Sequence, residues 1–527
     1  MRNRQTIIRV IVGGAGVAAI LMPILRYWAL NSSYYDLGQY ATNYAIAAID
    51  GLWGISFRSH AHPVMLIFSP FVRAAPFVET LLLEQSLLLL AGVYAFGCLW
   101  RNLGAGAPEV GALLAICSLA FWSAAIFDYH FEHLLLLAYV IFFLRLECAG
   151  KFVDFELFAI AMVIAAIKES LALTSAGLGI YLILANRRPI AGTAILVGAS
   201  VYFVAVTSAI IPFFSDGRQS GDLWREAFSY LGDTPRAMIY NIVFHPSLLA
   251  EAKILTPRKL VYLSAIFLPF LPALLRAPLL ALPALPHVAI ALLSRNANHT
   301  YLAHHYTIPV LVPFLVVAAY AIAGRRDWLI LSFQSSESAD SGAHSFAART
   351  AFIGSYITLV LFGLSPVSRL FFSPSASSYN FAAYIPSERS ARLRALIATH
   401  TPTDRRIVVS MQNNVHDGRL SLRTNALAFP DGVFEPVHVI CQPPSESGVT
   451  LSDSNCSQPH KQGAVLADFV VLDLKRPWFV NDQLIAATDP ESDRARAKFE
   501  ALVTRLQTDF TLVVENDGFQ IWRRRSH

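Results

Sequence analysis

Residues 108–146 read PEVGALLAICSLAFWSAAIFDYHFEHLLLLAYVIFFLRL. Two apolar runs, 108–127 and 131–149, meet at a short break where Asp128, His130, Glu132 and His133 crowd together. A helix needs about 20 apolar residues to cross a bilayer, and both runs are of that order. A surface helix of a soluble protein would instead show polar residues at every turn. The stretch therefore predicts two membrane helices joined by an ionisable turn.

The same alternation extends over most of the chain. Apolar runs at 10–30, 78–99, 153–167, 170–186, 190–212, 260–275, 277–293, 306–324 and 350–365 join the two above, giving about eleven spans. Composition agrees: 55% of the 527 residues are hydrophobic and 15% charged, with mean hydropathy +0.49, where soluble domains are about 25% charged. The formal charge of +5 is too small and too scattered to suggest a nucleic-acid surface. The five cysteines form no C-x-x-C pair, so zinc-ribbon and thioredoxin-like chemistry are not indicated.

Basic residues in short loops mark the cytoplasmic side. Arg2, Arg4 and Arg9 precede the first run, and Arg101, Arg145 with Lys151, Arg187 with Arg188, Arg276, and Arg325 with Arg326 fall on alternate breaks. The expectation is a multi-pass protein of the plasma (inner) membrane with its N-terminus in the cytoplasm and its first run retained as a signal anchor. An odd number of spans then places the chain after residue 365 outside. There the sequence becomes charged and rich in Pro and Ser.

Helix-spaced apolar positions at 387–400 and 490–507, β-branched runs at Ile407–Ser410 and Phe469–Leu474, and a turn at Asn516-Asp517-Gly518 predict a small α/β domain. The fold class is thus an all-α polytopic domain, 1–365, followed by an extracytoplasmic α/β domain, 366–527. Cys441 and Cys456 lie in a loop of the latter, where an oxidising compartment would let them pair.

The ionisable residues gather on the outward breaks. The first outward break carries Asp36 and then Arg58, His60 and His62; the break in the opening stretch carries Asp128, His130 and Glu132; Lys168 and Glu169 stand between the fifth and sixth runs; His299, His304 and His305 follow the ninth. His60, His62, His130, His133, His245, His299, His304 and His305 map outward, whereas His344 sits in a loop assigned to the cytoplasm. Ionisable groups near lipid are costly unless they face a cavity or serve a function. Each also has a plain explanation: Asp36 could cap a helix, Lys168 and Glu169 could neutralise each other, and His130, Glu132 and His133 could form an interfacial cluster. Zinc would want three or more ligands in a defined geometry, and the spacing matches no standard motif; a divalent metal is not required. Glu84 and Gln85, inside the second run, are expected to face the helix bundle.

At these residues the chain resembles the multi-pass family catalogued as domain of unknown function 2079, which is similar to the type C integral-membrane glycosyltransferases that use lipid-linked donors. The matching segments are Tyr35-Asp36-Leu37-Gly38, His62-Pro63 with the stretch to Gln85, Phe127 to Glu132, Lys168-Glu169-Ser170-Leu171-Ala172-Leu173, His305-Tyr306, Val409 to Asn413 and Phe469 to Leu474. Ser170 departs from the acidic residue that often follows the Lys-Glu pair. The resemblance implies that Asp36 is the catalytic base or an acceptor-orienting group.

Transfer of a sugar from a polyprenyl-phosphate donor to a glycan, lipid or protein acceptor needs a base, positive charge on the departing phosphate and an apolar groove. Asp36 would be the base. Lys168, Arg58, His304 and His305 would meet the phosphate, and Glu132 with His130 the sugar or a metal. His60, His62, Gln85, Asp128 and Glu169 complete the expected binding set. Two other classes fit the same residues: a secondary transporter or lipid-linked-substrate flippase, and a non-catalytic envelope assembly factor.

Overall fold

The computed structural model of the protein describes residues 2–48, 51, 53–57, 60–214, 227–232, 235–325, 337–374, 379–404, 407–413, 415–440, 462–475 and 490–525. Cys441, Cys456 and Arg58 lie outside these residues. The chain folds as two compact units. The first comprises Met1–Ile20, Ser56–Ile67 and Glu84–Arg369, and the second Leu21–Ile55, Phe68–Leu83 and Leu370–His527.

Among the described residues, six helices are long and apolar enough to cross a membrane: Asn3–Trp28, Val78–Asn102, Pro189–Phe214, Pro257–Arg276, His305–Ile322 and Ser345–Phe362. The expected eleven are not all present as full-length helices, and the opening stretch shows why. Its first run breaks into Pro108–Cys117 and Leu119–Ile126, bent by 66°. Ser118 leaves the helix for an extended conformation and its hydroxyl accepts the Ala120 N–H at 3.2 Å, capping the second half. If the bent pair counts as one span, the number is seven.

The second run forms only His133–Leu146, 14 residues, or about 21 Å at 1.5 Å per residue. Glu169–Leu184 and Pro278–Leu293 are likewise short apolar helices. Polar breaks thus shorten runs that hydropathy alone reads as complete. The proline-broken segment after His62 forms a ten-residue helix, Met65–Ala74, with Pro70 inside it.

His305–Ile322 is the most enclosed of the six, with 89% of its window buried. Phe314 packs against Phe267 and Phe270, and Tyr320 against Phe143. The helices Ala172–Leu184 and Pro189–Ala205 approach most closely at Gly179 and Gly192. A Cβ on either glycine would lie 2.7 Å from the other's carbonyl oxygen. Small residues at such crossings permit close backbone packing without a water-driven force between helices.

The second unit is built on a five-stranded sheet. Its strands are β1 (Val408–Met411), β2 (Asn425–Ala428), β5 (Phe469–Asp473), β6 (Phe510–Asn516) and β7 (Phe519–Arg524), while β3 (Val437–Ile440) and β4 (Gln462–Val465) form a separate antiparallel pair. The spatial order is β2-β1-β5-β7-β6. β1 runs parallel to β2 and β5, and β7 is antiparallel to β5 and β6.

The expected hairpin is present, with Asp517 and Gly518 both at positive φ, 53° and 79°. That is the backbone a two-residue hairpin of matching twist requires. The expected helices form as Glu388–His400, opened by a Ser387/Ser390 capping box, and Pro490–Asp509. Alternate strand residues fill two cores. Val409, Met411, Val471 and Ile521 pack with Leu393 and Ile397 on one face, and Val408, Val470, Leu472 and Trp522 with Phe499 and Leu506 on the other.

Leu30 and Tyr34, from just after the first membrane helix, belong to the first of these cores. The Tyr34 hydroxyl donates to the Ala426 carbonyl of β2. The segment that follows the first helix and the C-terminal sheet therefore fold as one body.

Candidate functional site

In the second unit, Asp36 sits on one turn of π-helix, Tyr34–Gly38, and is half-buried. Asn413 holds this turn: its side-chain oxygen accepts from the Ser33 hydroxyl and the Tyr35 N–H, each at 2.8 Å, and its carbonyl accepts the Tyr34 N–H at 2.7 Å. Below the turn lies His416, fully buried, with Nδ1 3.3 Å from the Ser32 hydroxyl and Nε2 2.9 Å from the Ser421 hydroxyl. Burial lowers its pKa to about 3, so the ring is neutral. Gly38 is required here, because a Cβ would lie 2.9 Å from the His416 ring.

In the first unit, a cavity of about 80 Å³ is lined by His60, Glu132, Lys168 and Glu169 of the expected set and by Ser170, His287, His299 and Tyr306, with apolar Ile290, Ala291 and Pro309. Helix ends place the charges. Glu132 precedes the first residue of His133–Leu146, and Lys168 follows the last of Val153–Ile167, whose chain turns extended there (ψ 143°) before the 3₁₀ turn Glu169–Leu171. Lys168 Nζ donates to Glu132 Oε1 at 2.8 Å, with Glu132 3% and Lys168 8% exposed. Burial raises the Glu132 pKa, but the Lys168 ammonium and its hydrogen bond, together with His130 and His62, outweigh it and hold the carboxyl at about 2.

Glu169 is clasped from the first loop. His60 Nδ1–H donates to its Oε1 at 2.7 Å and the Ala61 N–H to its Oε2 at 2.9 Å. His62 Nδ1–H donates to the Ile167 carbonyl at 2.8 Å, and burial, followed by nearby His60, lowers its pKa to about 4. His130 stacks on His305 at 3.7 Å between centroids, and His305 Nε2 lies 3.8 Å from Glu132 Oε1. His304 and His305 both pack on Phe127, at 4.5 and 5.4 Å. Gln85, fully buried, accepts the His130 N–H and donates to the Ala125 carbonyl, both at 3.3 Å. Asp128, 5% exposed, occupies a positive φ of 21° at the turn that delivers this group.

Two lining residues were not among the expected site set. His287 lies in an apolar run, whose neighbours hid it, and shares a 2.9 Å hydrogen bond with Thr174. His299 packs on Tyr306 at 4.6 Å, and burial with the Lys168 charge lowers its pKa to about 4. Behind the cavity Glu84, next to Gln85 in the second run, accepts the Tyr129 hydroxyl at 2.7 Å and lies 3.3 Å from His133 Nε2. Asp36 and His245 do not line the cavity. Among the described residues no group of three or more His, Cys, Asp or Glu side chains is arranged to hold a metal ion.

Several buried atoms have no hydrogen-bond partner among the described residues: Glu132 Oε2, His299 Nδ1 and His305 Nδ1. Such atoms are costly in a dry interior, and they supply acceptor and donor capacity that a polar ligand or water would satisfy. The opposite ends of the same helices differ in kind. Arg187 pairs with Glu147 at 2.8 Å, Arg188 with Asp154 at 2.6 Å, Arg325 with Glu147 at 3.4 Å, and Arg145 with Glu156. One end of the bundle is thus a belt of arginine–carboxylate pairs and the other a histidine- and lysine-lined cavity.

The family described as Predicted membrane protein (DUF2079) matches residues 26–399, which include every cavity residue and the Asp36 turn. The chain belongs to that family. No curated protein and no solved structure matches it. Within this DUF2079 chain the match ends before β1, so the five-stranded sheet lies beyond the matched segment.

Proposed function

We propose that this protein is an inverting membrane glycosyltransferase. In this reading it transfers a sugar from a polyprenyl-phosphate donor to a hydroxyl of a glycan, lipid or protein acceptor on the extracytoplasmic side of the plasma membrane. The observation that carries the reading is the buried Lys168–Glu132 pair, set among imidazoles in a cavity at one end of the membrane helices. Separation of that end from the arginine belt supports an outward cavity, since basic loops favour the cytoplasm.

The acceptor oxygen forms a bond to the anomeric carbon while the bond from that carbon to the phosphate oxygen breaks. The electron pair leaves with polyprenyl phosphate, and the acceptor proton passes to a base, the role that the family resemblance implies for Asp36. Lys168, aimed by Glu132, donates to the departing phosphate; His299, held neutral by burial, and His305 orient the phosphate and sugar through their open nitrogens. Arg58 and His304 complete the phosphate contacts, and His60, His62, Gln85, Asp128 and Glu169 hold the shell in place. Donors fixed in advance in a dry site stabilise developing charge without reorganisation.

The test is consumption of a synthetic polyprenyl-phosphate hexose by the full chain in proteoliposomes, read as released polyprenyl phosphate at equal amounts of folded protein. Lys168→Met should lose about 10²–10³-fold, as for removal of one transition-state donor, and Asp36→Asn about 10²–10⁴-fold, as for loss of a general base. Accumulation of a solute with no covalent product would overturn the reading in favour of a transporter. Undiminished transfer by Asp36→Asn would remove that residue as the base.

A further inference from the structure

A second polar cleft lies wholly within the second unit and takes no part in the reaction proposed above. It encloses about 400 Å³ and is lined by Tyr27, Glu79, Arg394, Asp417, Arg419 and Arg423 together with apolar residues, among them Phe77 and Val78. Its floor is tightly organised. Arg394 lies 4.4 Å over the Tyr27 ring and donates to the Tyr27 carbonyl, and its Nη1 is 3.5 Å from Asp417. Asp417 accepts Arg419 Nε and Nη2 at 3.1 Å each, and Glu79 accepts the Trp28 indole N–H at 2.8 Å. Arg394 Nε is buried and has no partner among the described residues, and Arg423 is exposed on the wall.

Three guanidinium groups face two carboxylates, leaving one positive charge in excess. The cleft also sits where two membrane helices end. Tyr27 and Trp28 close the span Asn3–Trp28, and Val78 and Glu79 open the span Val78–Asn102. Trp28, 45% exposed, and Phe77, 58% exposed, are aromatic residues of the kind that settle at headgroup level. An arginine fork matches phosphate geometry and holds its charge at any pH.

We infer that this cleft binds the headgroup of an anionic phospholipid, its single phosphodiester charge meeting Arg394 and Arg423 and its uncharged polyol occupying the remaining room. The tail then lies along the apolar flank at Phe77 and Val78. A phosphodiester with an attached ammonium would lose the charge match, so the site selects glycerol-type over choline-type headgroups.

The full chain in detergent is titrated with phosphatidylglycerol, phosphatidylcholine, glycerol phosphate or inorganic phosphate, and bound lipid is counted by native mass spectrometry. Phosphatidylglycerol should bind in preference to phosphatidylcholine. Arg423→Gln should weaken it roughly fivefold, the effect of one basic residue near a lipid surface, and Arg394→Gln at least as much. Arg392→Gln, an exposed arginine of the same helix as Arg394 outside the cleft, should leave it unchanged.

Three results would overturn the assignment: equal binding of the two lipids, equal loss in the Arg392 control, or full competition by inorganic phosphate at the lipid's own concentration. None of them bears on sugar transfer.

Discussion

Replacing Lys168 with Met tests whether the cavity charges are truly held out of water. The substitution conserves an unbranched apolar stem and removes only the ammonium 2.8 Å from Glu132. Glu132, 3% exposed, must then remain ionised without its partner or take up a proton. Either costs about 3–5 kcal/mol, as for breaking one partner of a buried pair, whereas an exposed pair would be worth about 0–1 kcal/mol.

The pH dependence carries the sign. In the natural protein the Glu132 pKa is depressed to about 2. Its contribution is therefore present above the unfolded value of about 4.3 and is lost as pH falls from there through about 2. In Lys168→Met burial is opposed only by the nearby His130 and His62 and the pKa rises, so the penalty appears as pH climbs above about 4.3. The gap in unfolding free energy between the two proteins should be largest near pH 7 and should narrow toward pH 4.

Reversible chemical unfolding in mixed micelles at the two pH values measures that gap. The double substitution Lys168→Met with Glu132→Gln should recover most of it, since no charge is then stranded. A loss below about 1 kcal/mol, or strictly additive single effects, would mean that water reaches the pair, and the argument for a dry cavity would collapse.

The second unit should loosen in mild acid. The depressed pKa of His416, about 3, means that below about 6.5 the unfolded chain binds a proton the folded chain refuses, costing about 2 kcal/mol by pH 5; hydrogen exchange across 407–428 should accelerate in that window, and His416→Asn should flatten the response. Asn413→Ala removes the acceptor shared by Ser33 and Tyr35 and should cost about 1–3 kcal/mol, read as faster proteolysis within 31–38, with protection unchanged if the contacts are idle. Gly192→Val places a Cβ 2.7 Å from the Gly179 carbonyl and should destabilise the helix pair by at least 1–3 kcal/mol, whereas Gly14→Val, where a Cβ meets nothing within 4 Å, should be neutral by the same unfolding assay.

Much of this architecture was legible in the sequence where one physical rule dominates. Long apolar runs without internal breaks, such as 78–99 and 306–324, became full spans because lipid solvation leaves a backbone no alternative to the helix. The hairpin at Asn516–Gly518 was legible because its turn demands positive φ. Runs such as 131–149 misled because hydropathy averages over a window and cannot see that Glu132 and His133 turn inward to protein partners. The cavity was legible in part. Charge at helix ends flagged Glu132, Lys168, Glu169 and His305, but which acid meets which base depends on packing among distant helices. His287 was hidden by its apolar neighbours. The capture of Leu30 and Tyr34 by the C-terminal sheet was not legible at all, since no local pattern announces a partner some 390 positions away.

That capture has a consequence for biogenesis. Residues 30–34 leave the ribosome hundreds of residues before β1 and β2, so the C-terminal sheet cannot close its apolar layer from its own sequence. A soluble fragment starting at residue 366 would carry an open socket where Leu30 and Tyr34 belong and should aggregate or recruit a surrogate. Supplying residues 21–48 in trans, or grafting them ahead of the fragment, should restore solubility. The first extramembrane segment is in this sense a placeholder made early and claimed last, and correct insertion of the first helix becomes a condition for completing the final domain.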